Sequence, residues 1–312
     1  MDPALTILWR GPLSSCNYAC SYCPFAKRKD SRATLATDRA QLKRFTDWAL
    51  ARLYPLAILF TPWGEALVRR HYRDAITRLS HAPHVQTVAV QTNLSTPIDW
   101  IADCDRRSAA FWTTYHPGET NRPRFLERIH AMEAMGVRYS VGVVALRQHF
   151  DEIERLRADL PANAYLWINA EEALQGCYTE AEVERLVAVD PLFELNNRAW
   201  PSLGRPCAAG ETAISVRGDG EARRCHFVDT PIGNIYDEAF EQALRPRTCP
   251  KLSCNCHIGY SHLKELALAE VFGAGMVERR AAAPVRDNVA RRIVVHPALG
   301  GQAQPGKTVV GV

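Results

Sequence analysis

The chain has 312 residues, 47% of them hydrophobic and 23% charged, enough for one large domain or a domain with a smaller module. No apolar run approaches the ~20 residues of a membrane-spanning helix, and the opening MDPALTILWRGP has neither the basic region nor the cleavage site of an export signal. The net charge of +4 lies entirely from Glu278 onward, where six basic residues face two acidic ones, so the body is neutral and lacks an electrostatic footprint for nucleic acid. These features predict a cytoplasmic protein with no membrane or nucleic-acid partner. In that reducing setting the ten cysteines read as metal ligands rather than disulfides.

In chain order, a strand-like run at 5–9 leads through Gly11 and Pro12 into a loop with three cysteines. Helical spacing at 38–53 precedes PLAILF at 55–60, a continuous apolar run of the kind found in buried parallel strands. A helix from Ala66 to Ser80, a strand at 85–92 and a short helix near 97–102 follow. Then come strands at 109–115, 137–146 and 163–169, and helices at 121–135, 149–159 and 179–188. Six strand–helix units argue for a parallel sheet flanked by helices, either doubly wound or a partial barrel. In a barrel the functional side chains stand at the C-terminal ends of the strands. Beyond this series, ETAISV and EARRCHF joined by GDG read as a β-hairpin, followed by a short helix, DEAFEQAL. The Ala-, Gly-, Pro- and Arg-rich stretch 278–312 reads as a disordered basic tail.

Two cysteine sets carry the chemistry. Cys16, Cys20 and Cys23 form a C-x3-C-x2-C run. Three thiolates on one loop can hold three irons of a [4Fe–4S] cluster and leave the fourth open to a ligand. A zinc knuckle or unrelated buried thiols are the alternatives. The second set is Cys207, Cys225, Cys249, Cys254 and Cys256. Four thiolates saturate a [4Fe–4S] cluster, and the expected four are Cys207, Cys225, Cys254 and Cys256, with Cys249 able to displace one. A zinc site using the adjacent His257 and His262 is the competing reading. Cys104 and Cys177 lie outside both sets and read as plain thiols.

The stretch RGPLSSCNYACSYCPFAKR, with TPWGEAL, QTNLS, TYHPGE, SVGVV and YLWINA after successive strands, resembles the radical S-adenosylmethionine (radical SAM) superfamily. RRCHF and CNCHIGYSHL extend the likeness to about residue 277, and to one bacterial subfamily that implies no particular substrate. The resemblance implies a partial (β/α)6 barrel at 1–195 and a twitch or SPASM-like module with a second Fe–S cluster at 196–277. It implies that the first cluster binds SAM at its open iron and cleaves it to a 5′-deoxyadenosyl radical. Tyr22 then packs beside the adenine, and Gly64 and Glu65 hold the SAM ammonium, with Trp63 standing where the family has another glycine. Thr92 and Asn93 lie near the ribose and substrate, Gly142 permits close approach of the adenine, and Asn169 contacts substrate or adenine. His116 takes a catalytic or ribose-binding place.

Each of these residues also has an ordinary reading: Tyr22 as a core ring, Glu65 as a helix start, Asn93 as a cap, His116 as a structural histidine. The resemblance further implies a flavodoxin- or ferredoxin-type electron donor. It implies hydrogen abstraction from a small molecule, since no leader-binding domain precedes the first strand; a peptide or protein side chain is the alternative. Cobalamin-aided methyl transfer is disfavoured because no cobalamin-like domain precedes it. A non-catalytic metal-binding scaffold or electron carrier is the reading of another class.

Overall fold

The computed structural model describes residues 4–25 and 28–281. Its strands are β1 (Leu5–Arg10), β2 (Leu56–Phe60), β3 (Val85–Thr92), β4 (Ala109–Thr114), β5 (Arg138–Val144) and β6 (Leu166–Asn169). They pair in sequence order and all in parallel. Between them run α1 (Arg32–Leu50), α2 (Arg70–Ser80), α3 (Arg122–Met135) and α4 (Phe150–Asp159), and α5 (Glu180–Val189) follows β6. Their ends carry the expected chemistry. Ser31 caps α1 by accepting from the Thr34 amide, Asn121 caps α3, and Thr179 and Glu182 form a reciprocal capping box on α5. Gly136 closes α3 at φ 67°, a left-handed conformation that glycine adopts at little cost.

The two faces of the sheet are covered differently. Ile7, Trp9, Ile58, Phe60, Val88, Val90 and Phe111 pack against α1 to α5, through residues such as Phe45, Ile76, Ile129, Leu156 and Leu186. Leu8, Leu59, Ala89, Ala110, Trp112 and Trp167 point the other way, into a cluster completed largely by residues from 192 onward. The crossover helices between successive strands lie on one face, which fits a barrel-like winding better than a doubly wound sheet, whose crossovers cover both faces.

The C-terminal third is woven into this sheet. After α6 (Phe193–Asn196), β7 (Trp200–Pro201) and β8 (Pro206–Cys207), the hairpin of β9 (Ala213–Arg217) and β10 (Glu221–Arg223) forms as expected. β9 lies parallel to β1, and β11 (Pro231–Asn234) pairs with β10, giving a nine-stranded order β11-β10-β9-β1-β2-β3-β4-β5-β6. β12 (Arg247–Thr248) pairs with β8, β13 (Ser253–Cys254) pairs with β7, and α7 (His257–Tyr260) follows. Residues 260–281 fill the inner face, with Tyr260, Leu263, Leu268, Phe272 and Ala281 buried against the strand residues.

Three expectations are corrected. α1 starts at Arg32, six positions before the apolar spacing begins, because Ser31 supplies the cap. The short helices expected near 97–102 and over DEAFEQAL are 3-10 turns, Asp99–Asp103 and Phe240–Ala243. The tail was expected to begin at Glu278, yet Glu278 and Arg279 are 0% and 2% exposed. The rest of that expected tail, from 282, lies outside the described residues. Among the described residues no helix is long and apolar enough to cross a membrane.

Candidate functional site

The loop after β1 is tied down from two sides. Asp30 accepts hydrogen bonds from the amides and hydroxyls of Ser14 and Ser15 at 2.6–2.9 Å. Burial alone raises the Asp30 pKa, but these bonds together pull it below its ordinary value. The strap after β2 pairs with the same loop: Trp63 N–H donates to Leu13 O and Glu65 N–H to Ser15 O. A Cβ on Gly64 would lie 2.1 Å from Ser15 O, so only glycine permits this approach.

Strand ends and loop together enclose a cavity of about 210 Å³, lined by all three thiols of the first set. Tyr18, Phe25, Trp63, Gly64, Glu65, Gln91, Thr92, Asn93, Thr114 and His116 complete its walls. Glu65 is 4% exposed and accepts from Thr92 Oγ1 at 2.8 Å, Asn93 N at 2.7 Å and Leu67 N at 3.0 Å. Burial raises its pKa and these three donors oppose the rise. An ionised carboxylate offers about four acceptor positions, so the three donors leave room for one more on the cavity side. The Leu67 bond is also a cap: Glu65 does start a short helical turn, as its ordinary reading had it.

The sulfurs already have donors around them. Cys16 Sγ faces Tyr18 N–H at 3.4 Å and Asn93 Nδ2 at 3.7 Å. His116 Nδ1 lies 3.3 Å from Cys20 Sγ and 2.7 Å from Tyr22 Oη, with the Tyr22 and His116 rings stacked. Burial and the charge of Glu119 push the Cys20 thiol up to about 11, and burial lowers His116 to about 4 and raises Tyr22.

Three expected residues do not line the cavity: Tyr22, which stacks on His116, and Asn169 and Gly142. Asn169 ends β6 and accepts from Arg279 Nη1 at 3.3 Å. Gly142 does permit a close approach, but by Trp167, whose ring would meet a Cβ at 1.9 Å.

In the second set, the thiols of Cys207, Cys225, Cys249 and Cys254 lie within electrostatic reach of one another. Burial, then repulsion from Cys256, Cys225 and Cys249, pushes Cys254 up to about 12. Gly259 makes room for this sulfur, since a Cβ there would sit 2.6 Å from it. Cys249 acts on Cys207, Cys225 and Cys254, while Cys256 acts on Cys254 most strongly and itself feels Arg10, Arg279 and Glu172. No disulfide joins any of the ten cysteines. Among the described residues no three His, Cys, Asp or Glu side chains converge tightly enough to chelate one metal ion. A [4Fe–4S] cluster makes no such demand, because each thiolate grips a different iron. Both donor sets therefore suit clusters chemically.

Sequence reasoning missed the cations of the inner face. Arg10 ends β1, stacks 3.9 Å over the Trp63 ring and donates to His226 Nε2 at 3.1 Å, while His226 Nδ1 faces Ser215 Oγ at 2.6 Å. Burial lowers the Arg10 pKa to about 10. Arg279, at φ 51°, stacks 4.5 Å over Trp167. An arginine at the end of the first strand was the one available signal.

No protein-family model and no curated protein matches the chain. Solved structures share its fold at low identity. Streptococcus suis SuiB bound to S-adenosylmethionine is 14% identical with a TM-score of 0.53, over 78% of this chain and 66% of that one. This chain thus spans just under two thirds of SuiB's length. Native anSMEcpe with bound AdoMet is 14% identical with a TM-score of 0.51, over 93% of this chain and 95% of that one.

Proposed function

We propose that this protein is a radical SAM enzyme. The observation that carries the reading is the cavity at the strand ends, where Cys16, Cys20 and Cys23 meet the Gly64–Glu65 strap. The fold it shares with AdoMet-bound structures supports the same reading. Cys16, Cys20 and Cys23 hold a [4Fe–4S] cluster, and the remaining acceptor position of Glu65 takes the SAM ammonium. When bound, cluster and SAM supply a 5′-deoxyadenosyl radical that removes hydrogen from an unreactive C–H bond.

The chain's own side chains do the rest. Thr92 and the Asn93 amide fix the Glu65 carboxylate. Asn93 and the Tyr18 amide orient Cys16, and neutral His116 and Tyr22 brace Cys20. Gln91 and Thr114 line the wall toward the inner face. Cys207, Cys225, Cys249 and Cys254 hold a second cluster that moves electrons. The substrate is a small molecule.

The test is anaerobic reconstitution, iron and sulfide analysis, and a search for 5′-deoxyadenosine after adding dithionite and SAM. The expected result is about eight irons and SAM cleavage. Cys16→Ala, Cys20→Ala and Cys23→Ala together should abolish cleavage and leave about four irons; 5′-deoxyadenosine from that variant would refute the assignment.

A further inference from the structure

A groove of about 1020 Å³ opens on the outside of the C-terminal third, between the segment after β10 and the segment 245–250. Its charged lining is Arg224, Arg245, Arg247 and Lys264, with no acidic residue. Lys264 pairs with Glu211 at 2.6 Å, but Arg224, Arg245 and Arg247 have no ion-pair partner among the described residues. Arg247 is repelled by both of its neighbours. Arg224 is 8% exposed and its buried Nη2 lacks a hydrogen-bond partner, as does Arg247 Nε. Arg224 is buried and Arg247 half-buried beside the exposed Arg245 with no counter-charge, an arrangement that an anion in the groove would relieve.

The groove is also the outer wall of the second thiol set. Pro206, Arg224 and Thr248 line it, and each immediately precedes a thiol: Cys207, Cys225 and Cys249. The Arg224 charge reaches the thiols of both Cys207 and Cys225. The groove shares no lining residue with the cavity at Cys16.

We propose that this groove docks an acidic electron-carrier protein, which exchanges single electrons with the cluster held by Cys207, Cys225, Cys249 and Cys254. The inference rests on the reading of that set as cluster ligands. A basic groove meeting an acidic face speeds encounter without demanding tight affinity, and redox encounters use small, charged, short-lived interfaces. One electron leaves the carrier's reduced centre and reduces the cluster by one, or the reverse; no bond forms and no further reactant is needed.

The experiment uses the full chain carrying Cys16→Ala, Cys20→Ala and Cys23→Ala, so that only the second set can hold iron, and a reduced flavodoxin as probe. Stopped-flow absorbance follows reduction of the cluster. The second-order rate should fall with ionic strength and drop about tenfold in Arg245→Glu with Lys264→Gln. Arg70→Glu with Arg155→Gln, the same charge change elsewhere on the surface, should leave it unchanged. Equal rates in both variants, or a salt-insensitive rate, overturn the docking surface. So does saturable inhibition by inorganic phosphate beyond that of chloride at equal ionic strength, which would make the groove a small-oxyanion site. If the reversed variant loses iron, Arg245→Gln with Lys264→Gln replaces it. Absence of iron from the starting variant refutes the cluster reading itself, a result distinct from an unaltered rate.

Discussion

Glu65 shows how one side chain fixes a site. Its carboxylate joins the strap after β2 to the end of β3 through Thr92 and Asn93, and these bonds hold only while it accepts. Glu65→Gln turns an amide NH2 against one of those donors. The expected cost is about 1–3 kcal/mol in urea unfolding of the apoprotein, together with at least tenfold weaker SAM binding by calorimetry. Unchanged SAM affinity would remove Glu65 from the binding assignment. His116 makes a prediction in pH. Burial lowers its pKa to about 4, so the folded chain keeps it neutral where an exposed imidazole charges, near 6.5. Its contribution to stability is whole above about 6.5 and is lost as pH falls toward about 4. Between about pH 7 and about pH 5 the apoprotein should therefore lose more stability than His116→Asn does; equal losses would place the acid sensitivity elsewhere.

At the scale of elements, the strands were legible because buried parallel strands are continuous apolar runs: LAILF and AAFWTT emerge as β2 and β4 within a residue. The cysteine loop and the polar strand ends were legible because type and spacing are local properties. Which of Cys249 and Cys256 joins the second set is a matter of side-chain direction as well as spacing. Cys249 follows β12 and Cys256 begins α7, and side-chain direction in such irregular segments is fixed by distant pairing: β12 with β8 and β13 with β7. The proposed set of Cys207, Cys225, Cys249 and Cys254 therefore separates two variants, whereas spacing favours Cys256 and admits Cys249. Cys249→Ala should lose about four irons, whereas Cys256→Ala should retain about eight. Iron analysis after reconstitution reads the difference, and loss from Cys256→Ala instead would restore the set expected from spacing.

Over the whole molecule, the six-unit alternation told the order of the sheet but not what fills its inner face. That filling comes from residues 260–281, whose short apolar groups carry no clear period. Nor could the joining of β9 to β1 be read, since it pairs positions about two hundred residues apart. Arg279 is the test of this inner packing. Its guanidinium lies over Trp167 and near Trp112, and a desolvated cation–π contact contributes about 2 kcal/mol. Arg279→Ala should lower unfolding stability by about that amount with the secondary structure retained; an unchanged urea midpoint would mean the segment contributes nothing to the fold.

The pairing of β1 with β9 has a mechanical consequence. β1 leads into the loop of Cys16, Cys20 and Cys23, while β9 and β10 lead to Cys225, so the two thiol sets hang from hydrogen-bonded neighbours. The Arg10–His226 bond ties the end of β1 to the segment after β10 as well. Both anchors belong to one hydrogen-bonded sheet, which acts as a ruler. Paramagnetic centres seated in both sets would report one narrow distance, unmoved by substrate, so that tunnelling between them is set by strand register and driving force instead of domain motion.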